Sequence, residues 1–180
     1  MELKYSLNTN DFLQYQLFTA SKSKRIQNQK RKSIILISVS LLVLFAILFD
    51  SNNYNRNILL VILVTASLLF YPRYLKSHYY SHYKKFVEDT TKNKTDRLAS
   101  LSFREFHIET SDETGESKIN YTNLEEINEI KDYIFLKLKT GESIIFPKNK
   151  IDNFEKLKEE LSKITNAYNL KTTIELNWKW

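Results

Sequence analysis

The sequence predicts an α+β membrane protein: a two-helix transmembrane hairpin followed by a small antiparallel β-barrel or curled sheet capped by a C-terminal helix. Three observations predict it. Two charge-free apolar runs, residues 33–49 and 58–71, lie eight residues apart. From about Thr95 the hydrophobic period changes from helical to alternating, and over 151–164 it becomes helical again.

The first 32 residues form a basic arm. Leu3, Tyr5 and Leu7 alternate with Lys4 and Ser6, which predicts a short strand, and Thr9 or Asn10 is placed to cap a helix beginning near Asp11. Phe12, Tyr15 and Phe18 recur at helical spacing, so this helix lies along a membrane, runs into the first span, or packs its rings on the rest of the protein.

Residues 33–75 are the expected hairpin, with spans 33–49 and 58–75. As a helix the 17-residue first run rises roughly 26 Å, close to the hydrocarbon thickness of about 30 Å. The shorter second run continues through residues 72–75, with Arg73 and Lys76 lifting their charges to the headgroups. A buried helix of a soluble protein would show a polar face, yet Ser38 and Ser40 are the only interior polar residues of the first run. A cleaved signal peptide is not expected, because the run begins at residue 33 and no small-x-small site follows.

Charge orients the hairpin. The arm carries Lys22, Lys24, Arg25, Lys30, Arg31 and Lys32, and the segment after the second run carries Arg73, Lys76, Lys84 and Lys85, whereas loop 50–57 offsets Arg56 with Asp50. Positive-inside ordering then puts both termini in the cytoplasm. The net charge is +6, but it is unevenly spread: residues 1–33 hold seven basic and two acidic groups, 34–95 seven and three, and 96–180 thirteen and sixteen. The basic excess therefore sits beside the membrane and the soluble part is slightly acidic, which argues against a nucleic-acid partner. With no cysteine in the chain, disulfides and thiolate metal sites are excluded.

Residues 76–95 read as a connector that extends the second helix, with Tyr79, Tyr80, Tyr83 and Phe86 at interfacial depth. Residues 96–167 read as one domain. Leu101 and Phe103, then Phe106 and Ile108, mark one or two strands; residues 112–115 turn; 117–121 form a strand. Leu124, Ile127 and Ile130 are spaced by three, which fits a helix as well as a strand. Ile134, Leu136 and Leu138 alternate with Phe135, Lys137 and Lys139 before the corner Thr140-Gly141 and the strand Ile144, Ile145, Phe146, so this is a hairpin. Phe154, Leu157, Leu161 and Ile164 then line one face of a helix capped by Asp152 or Asn153. About five antiparallel strands closed by one helix is the order of a small barrel or curled sheet of the pleckstrin-homology type. In the tail, 168–180, Ile174, Leu176, Trp178 and Trp180 alternate with polar residues, so it adds to a sheet edge, such as that of the Leu3–Leu7 strand, rests its tryptophans at the membrane, or stays disordered.

Two N-terminal spans, then Leu101-Ser102-Phe103 to Ile108, the turn at Gly115, Ile119-Asn120-Tyr121, Leu124-Glu125-Glu126-Ile127, Asp132-Tyr133-Ile134-Phe135-Leu136 and Ile144-Ile145-Phe146-Pro147-Lys148 before an acidic helix resemble the YcxB-like family of bacterial membrane proteins over about residues 96–165. The chain departs at Tyr121, where that family often carries tryptophan. The resemblance implies a pleckstrin-homology-like cytoplasmic domain on a two-span anchor in a bacterial inner membrane, and no activity.

Candidate chemical residues are few. His78 and His82 share a helix face at metal-ligand spacing, but Tyr79-Tyr80-Ser81 between them lack the carboxylate of a zinc protease, and a third ligand would have to be Glu88 or Asp89. Interfacial anchoring is the expected role. His107 has no foreseeable acid–base partner. Gly115 and Gly141 both fall in hairpin turns, so no phosphate loop or nucleophile elbow exists. Glu125, Glu126 and Glu129 read as a solvated edge or a docking patch for a basic partner; Lys137, Lys139, Lys148 and Lys150 read as solubilising residues or an anionic-lipid contact. No catalytic residue, cofactor or metal is expected. The chain is expected to be non-enzymatic, binding a protein, a peptide or itself, with lipid sensing the first alternative and a small membrane enzyme or transporter subunit the second.

Overall fold

A computed structural model describes residues 1–92, 97–113 and 115–180. The expected boundary at 95–96 and Thr114 of the first turn lie outside the described residues. Two compact units are present, one made of residues 1–15 and 87–179, the other of residues 16–86 with Trp180.

The first unit holds two four-stranded sheets. In one, β1 (Glu2–Ser6), β2 (Leu98–Phe103), β3 (His107–Asp112) and β4 (Gly115–Asn120) run in sequence order as an antiparallel meander. In the other the order is β7 (Ser143–Pro147), β6 (Tyr133–Leu138), β5 (Leu124–Ile130), β8 (Lys171–Glu175). Inward residues of both sheets form one core: Leu3, Tyr5, Leu101, Phe103 and Ile108 meet Leu124, Ile127, Ile134, Leu136 and Phe146. The last helix, α4 (Phe154–Tyr168), adds Leu157, Leu161 and Ile164 from one stripe. Asn153 caps it, its side chain accepting from the Lys156 amide at 3.3 Å, and Asn169 ends it in the left-handed conformation at φ 52°.

The sheets do not close into a barrel. Between β4 and β5 a single 3-10 turn, Tyr121–Asn123, carries the chain round the corner. Between β1 and β7 the contact is a side chain instead of a ladder: the Tyr5 hydroxyl donates to the Ile145 carbonyl at 3.0 Å. Pro147, two residues further along the same edge, has no N–H to offer, so β7 cannot continue the pairing.

β1 pairs with β2 from Glu2↔Ser102 to Ser6↔Leu98. Neighbouring strands of one sheet thus flank everything from residue 7 to residue 97. The segment 124–130 is a strand: a bulge between Leu124 and Glu126 shifts its register by one and accounts for the spacing of three from Leu124 to Ile127, while Ile130 is buried on the opposite face. The tail pairs in parallel with β5, not beside β1, because Lys171 and Thr173 there reach the Glu126 carboxylate at 3.2 and 2.9 Å.

The first helix, α1 (Thr9–Lys22), is capped one residue earlier than expected. Asn8 and Asp11 bond reciprocally: the Asp11 amide donates to Asn8 Oδ1 at 3.0 Å and the Asn8 amide to Asp11 Oδ2 at 2.8 Å, a capping box. In the second unit, Ser23 is an extended break after which α2 (Lys24–Leu48) takes in both the basic stretch and the first apolar run. The next helix, α3 (Tyr54–Thr91), has Pro72 inside it. Both helices are long and apolar enough to cross a membrane, and their most apolar windows are 0% and 6% buried. Asp50 and Arg56, whose charges offset each other, are an ion pair at 3.2 Å, and Asn57 Nδ2 donates to the Asp50 carbonyl at 2.7 Å to close the turn.

Candidate functional site

Asp11 is the most enclosed charged side chain among the described residues, 3% exposed. It accepts from Lys150 Nζ at 2.7 Å and from the Tyr133 hydroxyl at 3.0 Å. Lys150 also donates to the Ser6 carbonyl at 3.0 Å. The capping box aims the carboxylate, β6 brings the phenol and the turn after β7 brings the ammonium, so one carboxylate joins three elements far apart in sequence. Burial first, and the Asp11 charge second, push the Tyr5 and Tyr133 phenols well above their ordinary range, which keeps both as neutral donors.

Beside this cluster, along the outer edge of β1, runs an open groove of about 440 Å³. Leu3, Lys4 and Tyr5 form one wall; Ile151, Asn153 and Lys156 form the other. The Phe103 amide donates to the Met1 carbonyl at 2.8 Å, so in the alternation of an antiparallel ladder Glu2, Lys4 and Ser6 turn their backbone groups away from β2, toward the groove. The groove can hydrogen-bond an extended backbone; its side chains bring no nucleophile together with a base.

The acidic trio expected to be a solvated edge separates. Glu125 pairs with Lys137 at 3.0 Å, Glu126 with Lys171, and Glu129 with Lys148 at 2.7 Å. The Glu126 and Glu129 side chains are only 16% and 12% exposed, so neither is a solvated group. Burial raises the Glu126 carboxyl, but the hydrogen bonds from Thr173 and Lys171 outweigh it and the net shift is downward. Of the four lysines, Lys137, Lys148 and Lys150 are bound to carboxylates and Lys139 is exposed. They do not form a shared basic surface.

His78 stacks on Tyr74 with ring centroids 5.9 Å apart and meets Tyr79 edge-on; His82 meets Tyr83 at 5.4 Å. Among the described residues no three His, Asp or Glu side chains converge on a metal-sized space. In the same unit Lys30 Nζ lies 4.0 Å from the Trp180 ring centroid and 4.9 Å from that of Tyr79, and Trp180 Nε1 donates to the Lys76 carbonyl at 3.4 Å.

His107 does have an acidic partner, contrary to expectation. Two positions along β3, Glu109 faces it at 3.1 Å and also accepts from Arg104 Nε at 2.8 Å. The hydrogen bond with His107 first, and that from Arg104 second, hold the Glu109 carboxyl at about 2. An unfolded glutamate titrates at about 4.3. Since the folded value is lower, this group favours the folded state above pH about 4.3 and loses that effect as pH falls toward 2. Glu109→Gln is therefore expected to melt slightly below the parent at pH 7 and together with it near pH 2. A gap that survived acidification would remove this account.

Sequence reasoning passed over Asp11, Tyr133 and Tyr5 as site residues. The capping signature Asn8-x-x-Asp11 was readable; the partners, 122 and 139 positions away, were not. Residues 103–161, less than half of the chain, match the model of the YcxB-like protein family. No curated protein and no solved structure matches the chain.

Proposed function

We propose that this protein is a non-enzymatic, two-span protein of a bacterial inner membrane that presents a pleckstrin-homology-like cytoplasmic domain to a protein or peptide, or to a second copy of itself. One observation carries the reading: β1 and β2 are hydrogen-bonded neighbours, and both long apolar helices lie between them in the chain. Paired strands cannot lie on opposite sides of a bilayer, so the chain has to cross an even number of times. With cations concentrated on the arm and the connector, the side that holds the sheets is the cytoplasm.

A meander of four strands, a second of three and a C-terminal helix is the strand order of the pleckstrin-homology type, and it supports that fold here. Binding of a protein is favoured over reading of anionic lipid because three of the four lysines expected to meet a headgroup are already neutralised by Glu125, Glu129 and Asp11.

The absence of native cysteine makes orientation directly testable. In intact cells an impermeant maleimide is expected to label Ser51→Cys, in the loop between the spans, and to reach Ser117→Cys on β4 only after permeabilisation. Labelling of Ser117→Cys from outside would overturn the topology. Crosslinking in native membranes is expected to give a stoichiometric adduct with a partner or with a second copy; repeated failure to capture either would count against the binding role.

A further inference from the structure

We infer that the cytoplasmic end of the hairpin unit holds the phosphate of an anionic lipid between the ammonium groups of Lys30 and Lys76. The inference rests on the proposed membrane anchor and concerns a site apart from the sheets. Charge points to it first. Between residues 16 and 86 the chain has a single acidic residue, Asp50, which is engaged by Arg56 at 3.2 Å in the turn between the two long helices. The other ten lysines and arginines of that stretch lie in residues 22–32 and 73–85, at the opposite end of the apolar runs, and the unit offers them no carboxylate. Any counter-ion for them comes from outside the unit.

Lys30 and Lys76 differ from the rest of this collar in how they are held. Lys30 Nζ lies over two rings, 4.0 Å from the centroid of Trp180 and 4.9 Å from that of Tyr79. Tyr79 follows Lys76 by three positions on α3, and Trp180 is fixed to the same turn, its Nε1 donating to the Lys76 carbonyl at 3.4 Å and its ring meeting Tyr83 edge-on at 6.1 Å. The negative faces of the rings hold the Lys30 ammonium in place. They leave it beside Lys76, near enough for the two positive charges to repel. Among the described residues neither ammonium has a carboxylate partner. Two cations kept adjacent without an acid make a seat for an anion that takes charge-assisted hydrogen bonds from both.

Depth chooses the occupant. Lys30 precedes the first apolar run by three residues, roughly 4.5 Å along a helix, and Lys76 directly follows the second span. Both therefore lie in the headgroup layer, where tryptophan and tyrosine rings also settle and where a lipid phosphate is the anion at hand. A zwitterionic lipid brings its own cation to two lysines that already repel each other. The occupant is thus a lipid of net negative charge, such as a phosphatidylglycerol.

Native mass spectrometry of the full chain tests this, with the protein purified in a mild non-ionic detergent and mixed with equal amounts of dioleoylphosphatidylglycerol and dioleoylphosphatidylcholine. The anionic lipid is expected to be retained about ten-fold over the zwitterionic one. Lys76→Gln should lower that retention about five-fold, the share of one lysine beside an anionic headgroup. The Lys76 side chain supports none of the ring contacts, and the Trp180 bond uses the backbone carbonyl, so the loss reads the charge and not the fold. Lys76→Arg should keep most of the retention. Lys24→Gln removes a cation of the same arm six positions before Lys30, about a screening length away along the helix, and should change retention by less than about two-fold.

Equal retention of the two lipids, equal losses from Lys24→Gln and Lys76→Gln, loss of retention in Lys76→Arg, or displacement of the lipid by excess inorganic phosphate would each overturn the inference. Equal losses would mean a diffuse basic collar, and displacement by phosphate a site for a free anion. Retention in detergent is indifferent to which side of a membrane the sheets occupy, so a failure here leaves the maleimide labelling of Ser51→Cys and Ser117→Cys to decide the proposed topology on its own.

Discussion

Asp11→Ala is expected to lower the unfolding free energy of the sheet unit by about 3 kcal/mol, as for removal of one partner of a buried ion pair. The charge of Lys150 would be left beside the Ser6 carbonyl with its counter-ion gone, and the Tyr133 hydroxyl would lose its acceptor. The Lys150 side chain is 25% exposed, so water recovers part of the loss and the value belongs at the lower end of the buried range. Loss of the reciprocal bond with Asn8 also frees the first turn of α1, a contribution of about 1 kcal/mol. Lys150→Met on its own should likewise destabilise, by stranding the Asp11 carboxylate. The double variant Asp11→Ala/Lys150→Met should lose well less stability than the sum of the two single losses, because no uncompensated charge then remains. Thermal unfolding followed by near-ultraviolet dichroism measures all four proteins; strict additivity would mean that the two groups do not act on each other.

What could be read from the sequence divides along a physical line. The long helices were legible because a charge-free composition over 17 residues is a property of the segment itself. The hairpin β6–β7 was legible for the same reason, since Ile134, Leu136 and Leu138 alternate and Gly141 takes a positive φ of 92° at the corner. Local pattern misled where a second surface intervened. Phe135 lies on what the alternation marks as the outer face, yet it is 1% exposed, because the Tyr15 ring of α1 packs on it at 5.5 Å. Ile130 shows a spacing of three from Ile127, although the two belong to opposite faces and both are buried. The bonds of Asp11 to Tyr133 and Lys150 were out of reach, because both depend on where the sheets bring chain positions more than a hundred residues apart.

The second large effect follows from β1. A chain beginning at Arg97 holds every strand of both sheets except this one, and is expected not to fold cooperatively. It lacks Leu3 and Tyr5 of the common core and Leu13 of α1, each buried. At about 2 kcal/mol per buried side chain, those three alone amount to roughly 6 kcal/mol, a large share of the roughly 5–15 kcal/mol that holds a typical domain together. The loss of Asp11 adds to this, and β2 would then expose a second long edge. If the cause is the missing strand, putting it back without the hairpin should repair the fold: residues 1–15 joined to residues 87–179 through about ten flexible glycine and serine residues should give a soluble protein. Proton–nitrogen NMR spectra provide the measurement. Dispersed amide signals are expected from the joined chain, and collapsed signals with dye binding from the one starting at Arg97. A well-dispersed spectrum from the shorter chain would show that β1 is dispensable, and with it would go the argument that strand pairing obliges the chain to cross the membrane an even number of times.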